Sequence, residues 1–530
     1  MKRSKLFYAV SMLIVLLLLC SATVVFAGAN TEAESVERAE AAGPVRGGRL
    51  IMGIVGKMSS LDPTRGNAFL WEGNVLLAIN ERLFRRSETG EFIPELATSW
   101  EVSQDKLHIT FKLRQGVKFH DGTPFNAAAA KFNLDRLMDP AQATQVHTWF
   151  KDIESVDVID EYSVRINLKQ PAAMIMTLLT STGGFMVSPE AMKKYGDDYS
   201  LHPVGTGPFK FVEWVPGDHV LVARNENYWG KGEDGKPLPY LDEILVRIIT
   251  DDSVRLVEVQ TGRIHIMQSV PAESIGIVKT DPNLALTRTP GAFVFRLYLN
   301  QRRSPTNNVV VRRAINYAFD REAMAKAIIP GQEFQSPFFY LPNSPEYLDE
   351  TPYNYDPDKA KKLLAEAGYP NGLDLGLLLI SREPDRTMAP IIQSYLEAVG
   401  IRTEIMELER LMAIEKANAG DWDLYQAMAG LPQPDTQVLM DNQWRTDGPW
   451  NRSGYSNQEM NALLDKLSVT FEPKERIKIY HEMQRKLLDE AETVVLFGRA
   501  VYQANTTALH GFTFEHVGAL RLTEAWLEAE

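Results

Sequence analysis

The residue types that most often do chemistry are scarce and scattered in this chain. The nine histidines include no pair at the i, i+4 spacing of a helical zinc site, and His510 and His516 are predicted to be surface residues. Asp251 and Asp252 have the composition of an acid–base pair, but they open a helical stretch, where acids complement the helix dipole. Because no nucleophile motif, phosphate loop or dinucleotide motif occurs, the sequence predicts no catalytic residue, no metal site and no cofactor.

Tryptophan and arginine side chains are better candidates, as binding groups. Trp444 and Trp450 lie in a segment with Gly, Pro and Asn and without a helical period, so both are predicted to be loop residues. Exposed aromatic rings in loops suit stacking on flat ligand faces. Arg445 or Arg499 can hold a ligand carboxylate through two parallel hydrogen bonds, although an internal ion pair is the preferred interpretation for Arg445.

Length and composition define the broad class of protein. A chain of 530 residues is long enough for several domains, and 45% hydrophobic with 24% charged residues is an ordinary globular composition. The single cysteine excludes an internal disulfide and a cysteine-ligated metal cluster. The net charge of -13 disfavours nucleic acid as a partner, because phosphate binding needs Lys and Arg concentrated on one surface.

The first 27 residues are predicted to be a secretory signal peptide. Three basic residues precede an apolar stretch over 6–19, and small residues stand at the cleavage positions that end at Ala27. Residues 28–46, rich in Ala and Glu, are predicted to be a flexible linker. The protein is therefore expected in the periplasm or outside the cell, with a tether through acylated Cys20 or an uncleaved anchor as alternatives.

The spacing of apolar residues predicts an α/β fold. Residues 107–113 and 163–168 alternate apolar and polar side chains, which is typical of strands with one buried face. The clearest run is a helix at 356–368, a strand at 373–380, a helix at 387–399 and a strand at 401–408. A strand, a helix and a strand with short connections predict a βαβ unit with parallel strands.

Short motifs spread over residues 47–530 resemble one known family, the extracellular solute-binding proteins of ABC importers. The resemblance is to family 5, which includes dipeptide-, oligopeptide- and nickel-binding members. Any one motif can arise by chance, whereas the whole set in this order indicates the family. The motifs are LDP at 61–63, PELATSW at 94–100, FKLRQGVKFHDGTPF at 111–125, PVGTGPFKF at 203–211, RNENYW at 224–229, QTG at 260–262, VRRAINYAFDR at 311–321 and GYSN at 454–457.

The resemblance implies a two-lobed periplasmic binding protein fold of the cluster C type, with an extra subdomain inserted in the first lobe and a two-stranded hinge. The solute would lie between the lobes, where closure removes it from water on both faces. The hinge strands are expected near 293–299 and 496–503. The expected segments are 47–75, 205–290 and 500–530 for the first lobe, 76–204 for the inserted subdomain, and 291–499 for the second lobe.

The resemblance also implies a site between the lobes, and this chain departs from the peptide-binding members there. In those members an aspartate after the strand that follows 420–424 pairs with the α-ammonium of the ligand. Here that place falls near Gly430 or Leu431. A buried ammonium without a carboxylate costs on the order of several kcal/mol, so an oligosaccharide or another neutral or modified solute is nearly as well supported as a peptide. The residues expected to contact the solute are Trp71, Tyr298, Asn300, Gly430, Gln433, Asn442, Trp444, Trp450, Asn451 and Arg499.

The expected function is capture of a peptide or an oligosaccharide-like solute and its delivery to the ABC permease subunits of the inner membrane. The protein is expected to act as a monomer, to bind no nucleic acid and to leave the solute chemically unchanged. A receptor or chaperone of the same fold that does not take part in transport is the alternative. A secreted hydrolase is a further alternative that no motif supports.

Overall fold

A computed structural model of the chain describes residues 43–56, 58–65, 71–87, 91–141, 146–342, 344–431, 436–515 and 518–528. The predicted signal peptide and most of the predicted linker lie outside these residues. Among the described residues, no helix combines the length and the apolar character that crossing a membrane requires.

The described residues form both strands and helices along the whole chain. The strands are β1 (Arg49–Ile54), β2 (Phe84–Arg86), β3 (Phe92–Pro94), β4 (Ala97–Val102), β5 (His108–Leu113), β6 (Ile153–Asp160), β7 (Ser163–Leu168), β8 (Phe209–Val215), β9 (His219–Arg224), β10 (Glu243–Ile248), β11 (Ile266–Met267), β12 (Leu284–Leu299), β13 (Glu333–Phe334), β14 (Leu373–Ile380), β15 (Ile401–Leu408), β16 (Leu424–Leu431), β17 (Thr493–Thr506), β18 (Leu509–His510), β19 (Thr513–Phe514), β20 (Leu520–Arg521) and β21 (Trp526–Leu527). The α-helices are α1 (Trp71–Ile79), α2 (Ala127–Met138), α3 (Met174–Leu178), α4 (Pro189–Tyr195), α5 (Asp252–Gln260), α6 (Ile275–Thr280), α7 (Val309–Tyr317), α8 (Arg321–Ile328), α9 (Pro357–Glu366), α10 (Asp385–Ala398), α11 (Arg410–Ala419), α12 (Thr436–Trp444), α13 (Gln458–Ser468) and α14 (Pro473–Asp489).

Half of the strands belong to one large sheet that runs through both lobes. Its order is β15-β14-β16-β12-β17-β11-β1-β10-β9-β8, and β13 pairs with β17 beside this path. A separate sheet with the order β4-β5-β7-β6 lies within the segment expected to be the inserted subdomain. β14 and β15 pair in parallel along their whole length, and α10 connects them. The predicted βαβ unit and the α/β fold class are therefore confirmed.

Local sequence explains where these elements begin and which face they bury. Asp356 caps α9 by accepting the backbone N–H of Lys359 at 2.9 Å, and Pro357 occupies the first turn, where its missing N–H is not needed. Asp251 caps α5 in the same way through the N–H of Val254. Asp251 and Asp252 therefore mark the start of a helix, which is the interpretation that the sequence favoured over an acid–base pair.

Each part of the molecule has its own hydrophobic core. In the inserted subdomain α2 packs on the four-stranded sheet, and in the first lobe α1 packs on strands that include β1, β9 and β10. In the second lobe α7 and α10 pack on one face of the large sheet, and α12, α13 and α14 form another core with the loop at 338–341. Central members of these cores are Phe111, Leu134, Met52, Val246, Leu297, Leu377, Trp444 and Met483.

The inserted subdomain also packs against the second lobe. Val438 of α12 belongs to the core of the inserted subdomain. The backbone N–H of Ala173 donates to the carbonyl of Ser468 at 2.8 Å, and Lys106 Nζ donates to the carbonyl of Val469 at 2.9 Å. These contacts join the expected inserted subdomain to helices α12 and α13 and to the residue after α13.

Two long antiparallel strands, β12 and β17, connect the two lobes. Residues 284–288 of β12 pair with 502–506, next to β11 of the first lobe, and residues 292–298 pair with 493–500, next to β16 of the second lobe. The register shifts between Arg288 and Ala292. The interruption therefore lies at the middle of the connection, where a change of backbone angle alters the fewest hydrogen bonds.

Candidate functional site

Three neighbouring strands place Gly430, Phe293 and Arg499 in one row where the lobes join. Phe293 of β12 is directly opposite Gly430 of β16 on one side and Arg499 of β17 on the other. Directly opposed residues of antiparallel strands share a face of the sheet. Because Gly430 has no side chain, the ring of Phe293 is left uncovered on that side, and a Cβ at Gly430 would lie 3.7 Å from it.

Arg499 is the charged group of this row. Its Cζ lies 5.0 Å from the centroid of the Phe293 ring, a cation–π contact. Burial lowers the pKa of Arg499, and no carboxylate among the described residues raises it again. An arginine remains charged in proteins even when burial lowers its pKa. Arg499 is therefore a half-buried cation with no direct ion pair to a described residue, and Glu333 of β13 is the residue directly opposite it on the other side of β17.

Arg445 has the opposite environment. Its guanidinium nitrogens lie 2.8 Å from a carboxylate oxygen of Asp441 and 2.8 Å from one of Asp465. These two ion pairs raise its pKa against the effect of burial. The structure therefore shows the internal ion pairs that the sequence favoured for Arg445.

Two of the predicted amide contacts already have partners within the protein. The Asn300 side chain is fully buried and donates to the carbonyls of Gly420 and Trp422 at 2.9 and 2.7 Å. The Asn451 side chain is also buried and donates to three backbone carbonyls at 2.7 to 3.2 Å. Both amides hold the backbone in place, which sequence spacing does not reveal.

Tyr298 and Trp444 are buried aromatic residues. The Tyr298 ring stacks on Tyr425 with centroids 5.8 Å apart, and its hydroxyl accepts a hydrogen bond from Arg296. Trp444 is the last residue of α12, and only 1% of its surface is exposed. The prediction that Trp444 is an exposed loop residue is therefore wrong, because tertiary packing in the second-lobe core extends the helix to this residue and covers its ring.

The remaining predicted contacts are partly exposed or lie outside the described residues. Trp450 is a loop residue with 42% of its surface exposed, as predicted. Asn442 is half-buried on α12, next to a cleft that also exposes Trp450. Trp71 begins α1, but its side chain is outside the description, and Gln433 lies in the undescribed segment 432–435.

Sequence reasoning did not single out Phe293 as a site residue. Nothing in the local sequence marks it, because its position beside both Gly430 and Arg499 follows from the register of three strands that are far apart in the chain. Among the described residues, no cluster of three or more His, Cys, Asp or Glu side chains is arranged to hold a metal ion.

The two α/β lobes are joined by the antiparallel strands β12 and β17, and Arg499 lies on one of these strands. This architecture is typical of proteins that enclose a solute between two lobes. Comparison with known proteins identifies the family. Residues 91–451 match the bacterial extracellular solute-binding proteins, family 5 middle. Since this match spans more than half of the chain, the protein belongs to that family, as its motifs indicated.

Individual relatives agree with this assignment. The chain is 31% identical over 506 residues to the glutathione-binding protein GsiB of Pectobacterium atrosepticum, covering 91% of this chain and 94% of that protein. The structure of the periplasmic binding protein DppA of Helicobacter pylori in complex with the peptide STSA is 28% identical, with coverages of 92% and 99% and a TM-score of 0.70. The binding protein AgaA of A. tumefaciens R10 in complex with agropinic acid is 29% identical, with coverages of 91% and 99% and a TM-score of 0.71.

Family membership determines the general role of the protein. It is a solute-binding protein of an ABC importer, located in the periplasm or outside the cell, and it delivers its solute to a transporter. It is a transport receptor and not an enzyme. The two-lobed fold that the motifs implied is likewise confirmed by the structural neighbours.

Proposed function

We propose that the protein captures a small peptide-like solute that bears a carboxylate, and that Arg499 is the partner of that carboxylate. The observation that carries the proposal is the unpaired, half-buried guanidinium of Arg499 over the Phe293 ring, on the strands that connect the lobes. A charged group that is partly removed from water is stabilised by an anion that pairs with it.

The solutes of the relatives support a carboxylate. Glutathione, the peptide STSA and agropinic acid, which give names to the proteins or complexes compared above, all carry at least one carboxylate. In this chain Gly430 stands near the place where peptide-binding members of the family have an aspartate for the α-ammonium. The anionic end of the solute, not the cationic end, therefore provides the main electrostatic contact in our proposal.

The predicted contacts divide into two groups under this proposal. Arg499 and Gly430 face the solute, together with Phe293, which completes their row. The side chains of Tyr298, Asn300, Trp444 and Asn451 support the site from within the second lobe, because their polar atoms or rings already have protein partners. Trp71 and Gln433 stay predicted contacts whose side chains lie outside the described residues.

The experiment compares a peptide with its amide. Tripeptides with a free C-terminal carboxylate, glutathione among them, are titrated into the mature protein by calorimetry, alongside the same peptides with an amidated C-terminus. We expect the free acids to bind and to raise the thermal midpoint of the protein, and the amides to bind at least about tenfold more weakly. Arg499→Gln should remove the difference between acid and amide.

Arg402→Gln is the matched control, because Arg402 is an exposed arginine on the edge strand β15 whose carboxylate partner is Asp374. This variant should bind like the wild type. Equal affinity of the wild type for acids and amides would exclude Arg499 as the carboxylate partner. Consumption of a peptide during the titration would contradict a role limited to binding.

We further propose that the protein works as a monomer and that its first 27 residues are removed on export, with a tether through Cys20 as the alternative. Light scattering of the purified protein tests the first point. Mass spectrometry of the exported protein tests the second, since a mass beginning at Gly28 and a lipid-modified mass beginning at Cys20 are readily distinguished.

A further inference from the structure

A second cleft, separate from the Arg499 row, lies between the inserted subdomain and the second lobe. It encloses about 1000 Å³, at the upper end of the sizes typical of small-ligand sites. Residues between 148 and 152 and between 170 and 174 form one wall, and α12 with the segment that follows it forms the other. Neither Arg499 nor Phe293 lines this cleft.

The second-lobe wall presents an exposed tryptophan on a rigid backbone. Trp450 has 42% of its surface exposed, yet its backbone N–H donates to the carbonyl of Asn442 at 2.8 Å. The Asn451 side chain ties three carbonyls of the same segment together. Since this backbone is already ordered, a ligand that stacks on Trp450 loses little affinity to the ordering of a loop.

The wall from the inserted subdomain presents Trp149 on a packed element. Trp149 belongs to the short 3-10 helix His147–Phe150, whose last residue is fully buried in the core of the subdomain. The hydrogen bond from Ala173 N–H to the Ser468 carbonyl joins the two walls beside the cleft. The two tryptophans are thus both mounted on packed structure.

The polar groups of the cleft favour neutral solutes with hydroxyl groups. Its lining holds four carboxylates and two cations, and two of the carboxylates are paired with Arg445. The excess negative charge repels an anionic solute. The side chains of Asn442 and Asp447 have no hydrogen bond to any described residue, so an amide and a carboxylate are available to sugar hydroxyls. The flat C–H face of a sugar ring packs on an indole ring.

We propose that this cleft binds a neutral saccharide between Trp149 and Trp450, as a second site distinct from the carboxylate site at Arg499. The proposal goes beyond peptide-like solute capture, because the lining of this cleft has more carboxylates than cations, whereas the proposed carboxylate partner at the first site is the Arg499 guanidinium. The two sites therefore select different chemical classes.

The test titrates the mature protein with maltotriose, cellotriose and N-acetylchitotriose, and follows saturation-transfer NMR signals of the sugar together with indole fluorescence. We expect at least one of these sugars to bind. Trp450→Ala and Trp149→Ala should each weaken that binding by about tenfold or more. Tyr355→Ala removes a ring with 46% exposure elsewhere on the second lobe and should leave the affinity unchanged.

Thermal denaturation shows whether each variant is folded. If Trp149→Ala unfolds the inserted subdomain, Trp450→Ala decides the test, because Trp450 is exposed and its loss should not unfold the protein. Absence of binding for all three sugars would overturn the proposal, as would full affinity in Trp450→Ala. Loss of sugar binding in Arg499→Gln would overturn it as well, because the sugar would then occupy the first site. Peptide binding, measured on the same samples, reports separately on the function proposed for Arg499.

Discussion

A guanidinium nitrogen of Arg86 lies 2.7 Å from the Glu346 carboxylate, and this ion pair joins the β2–β3 hairpin to the second lobe. Both side chains are buried, with 12% and 3% of their surfaces exposed. The backbone carbonyl of Glu346 also accepts a hydrogen bond from Gln484 of α14 at 2.8 Å. The lobes are thus linked on this side by a buried charge pair, in addition to the connection through β12 and β17.

Removing one member of this pair is expected to destabilise the protein. Arg86→Ala removes this ion pair from buried Glu346, and the loss of a charge-assisted hydrogen bond at such a site costs ~2 kcal/mol in the free energy of unfolding, which urea denaturation measures. Lys131→Ala, which breaks the more exposed Lys131–Asp135 pair, should cost much less. If Arg86→Ala lowers the free energy of unfolding no more than Lys131→Ala does, the Arg86–Glu346 ion pair does not stabilise the contact between the β2–β3 hairpin and the second lobe.

A buried glutamate should give the protein a characteristic pH dependence. Glu81 accepts hydrogen bonds from Tyr228 and Trp229 at 2.9 and 3.1 Å, and burial together with the charge of Glu95 raises its pKa to about 7. The folded state therefore holds this proton more tightly than the unfolded state, in which the pKa is about 4.5. The stabilisation is fully present below pH 4.5 and is lost as the pH rises to about 7.

Glu81→Gln keeps the acceptor but cannot ionise, so it should remove this loss, which is on the order of 3 kcal/mol. The measured quantity is the difference between variant and wild type in unfolding free energy at pH 5 and at pH 8. The comparison cancels the opposite contribution of buried His120, whose pKa is lowered to about 4. Parallel pH profiles for the two proteins would show that Glu81 does not titrate in this range.

Trp444 should matter for stability more than for solute contact. Its ring packs on Phe338 and Phe339 with centroids 5.2 and 5.5 Å apart, and only 1% of its surface is exposed. Trp444→Ala leaves a large cavity in this core, which costs ~3–5 kcal/mol. Trp450→Ala, measured in the same urea titration, should cost under ~1 kcal/mol. Equal losses in the two variants would contradict the burial difference.

Gly448 should be essential for the position of Trp450. A Cβ at this glycine would lie 2.6 Å from the carbonyl oxygens of Asp441 and Asn442, closer than any packing allows. Gly448→Ala is therefore expected to displace the loop, lowering stability by ~1–3 kcal/mol and raising the exposure of Trp450 to fluorescence quenchers. Gly276→Ala, in helix α6 with no neighbour within 4 Å, should be neutral or slightly stabilising. A crystal structure of Gly448→Ala with an unmoved loop would refute the argument.

Much of the secondary structure could be predicted because its signals are local. The cap at Asp356, the run from β14 to β15 and the alternation in β5 and β7 all match the described elements. Each depends on hydrogen bonds and apolar spacing within a few residues of sequence. The burial of Trp444 could not be predicted in this way, because it depends on rings that lie about a hundred residues earlier in the chain.

By itself, the sequence determined the family, the α/β class and the absence of any recognisable catalytic motif, since these depend on residue order and local periodicity. The tertiary structure alone decided which candidate side chains are free to meet a solute. The Asn300 side chain hydrogen-bonds to the carbonyls of Gly420 and Trp422, and Arg499 has no direct ion pair among the described residues, because such contacts depend on which distant segments the fold brings together.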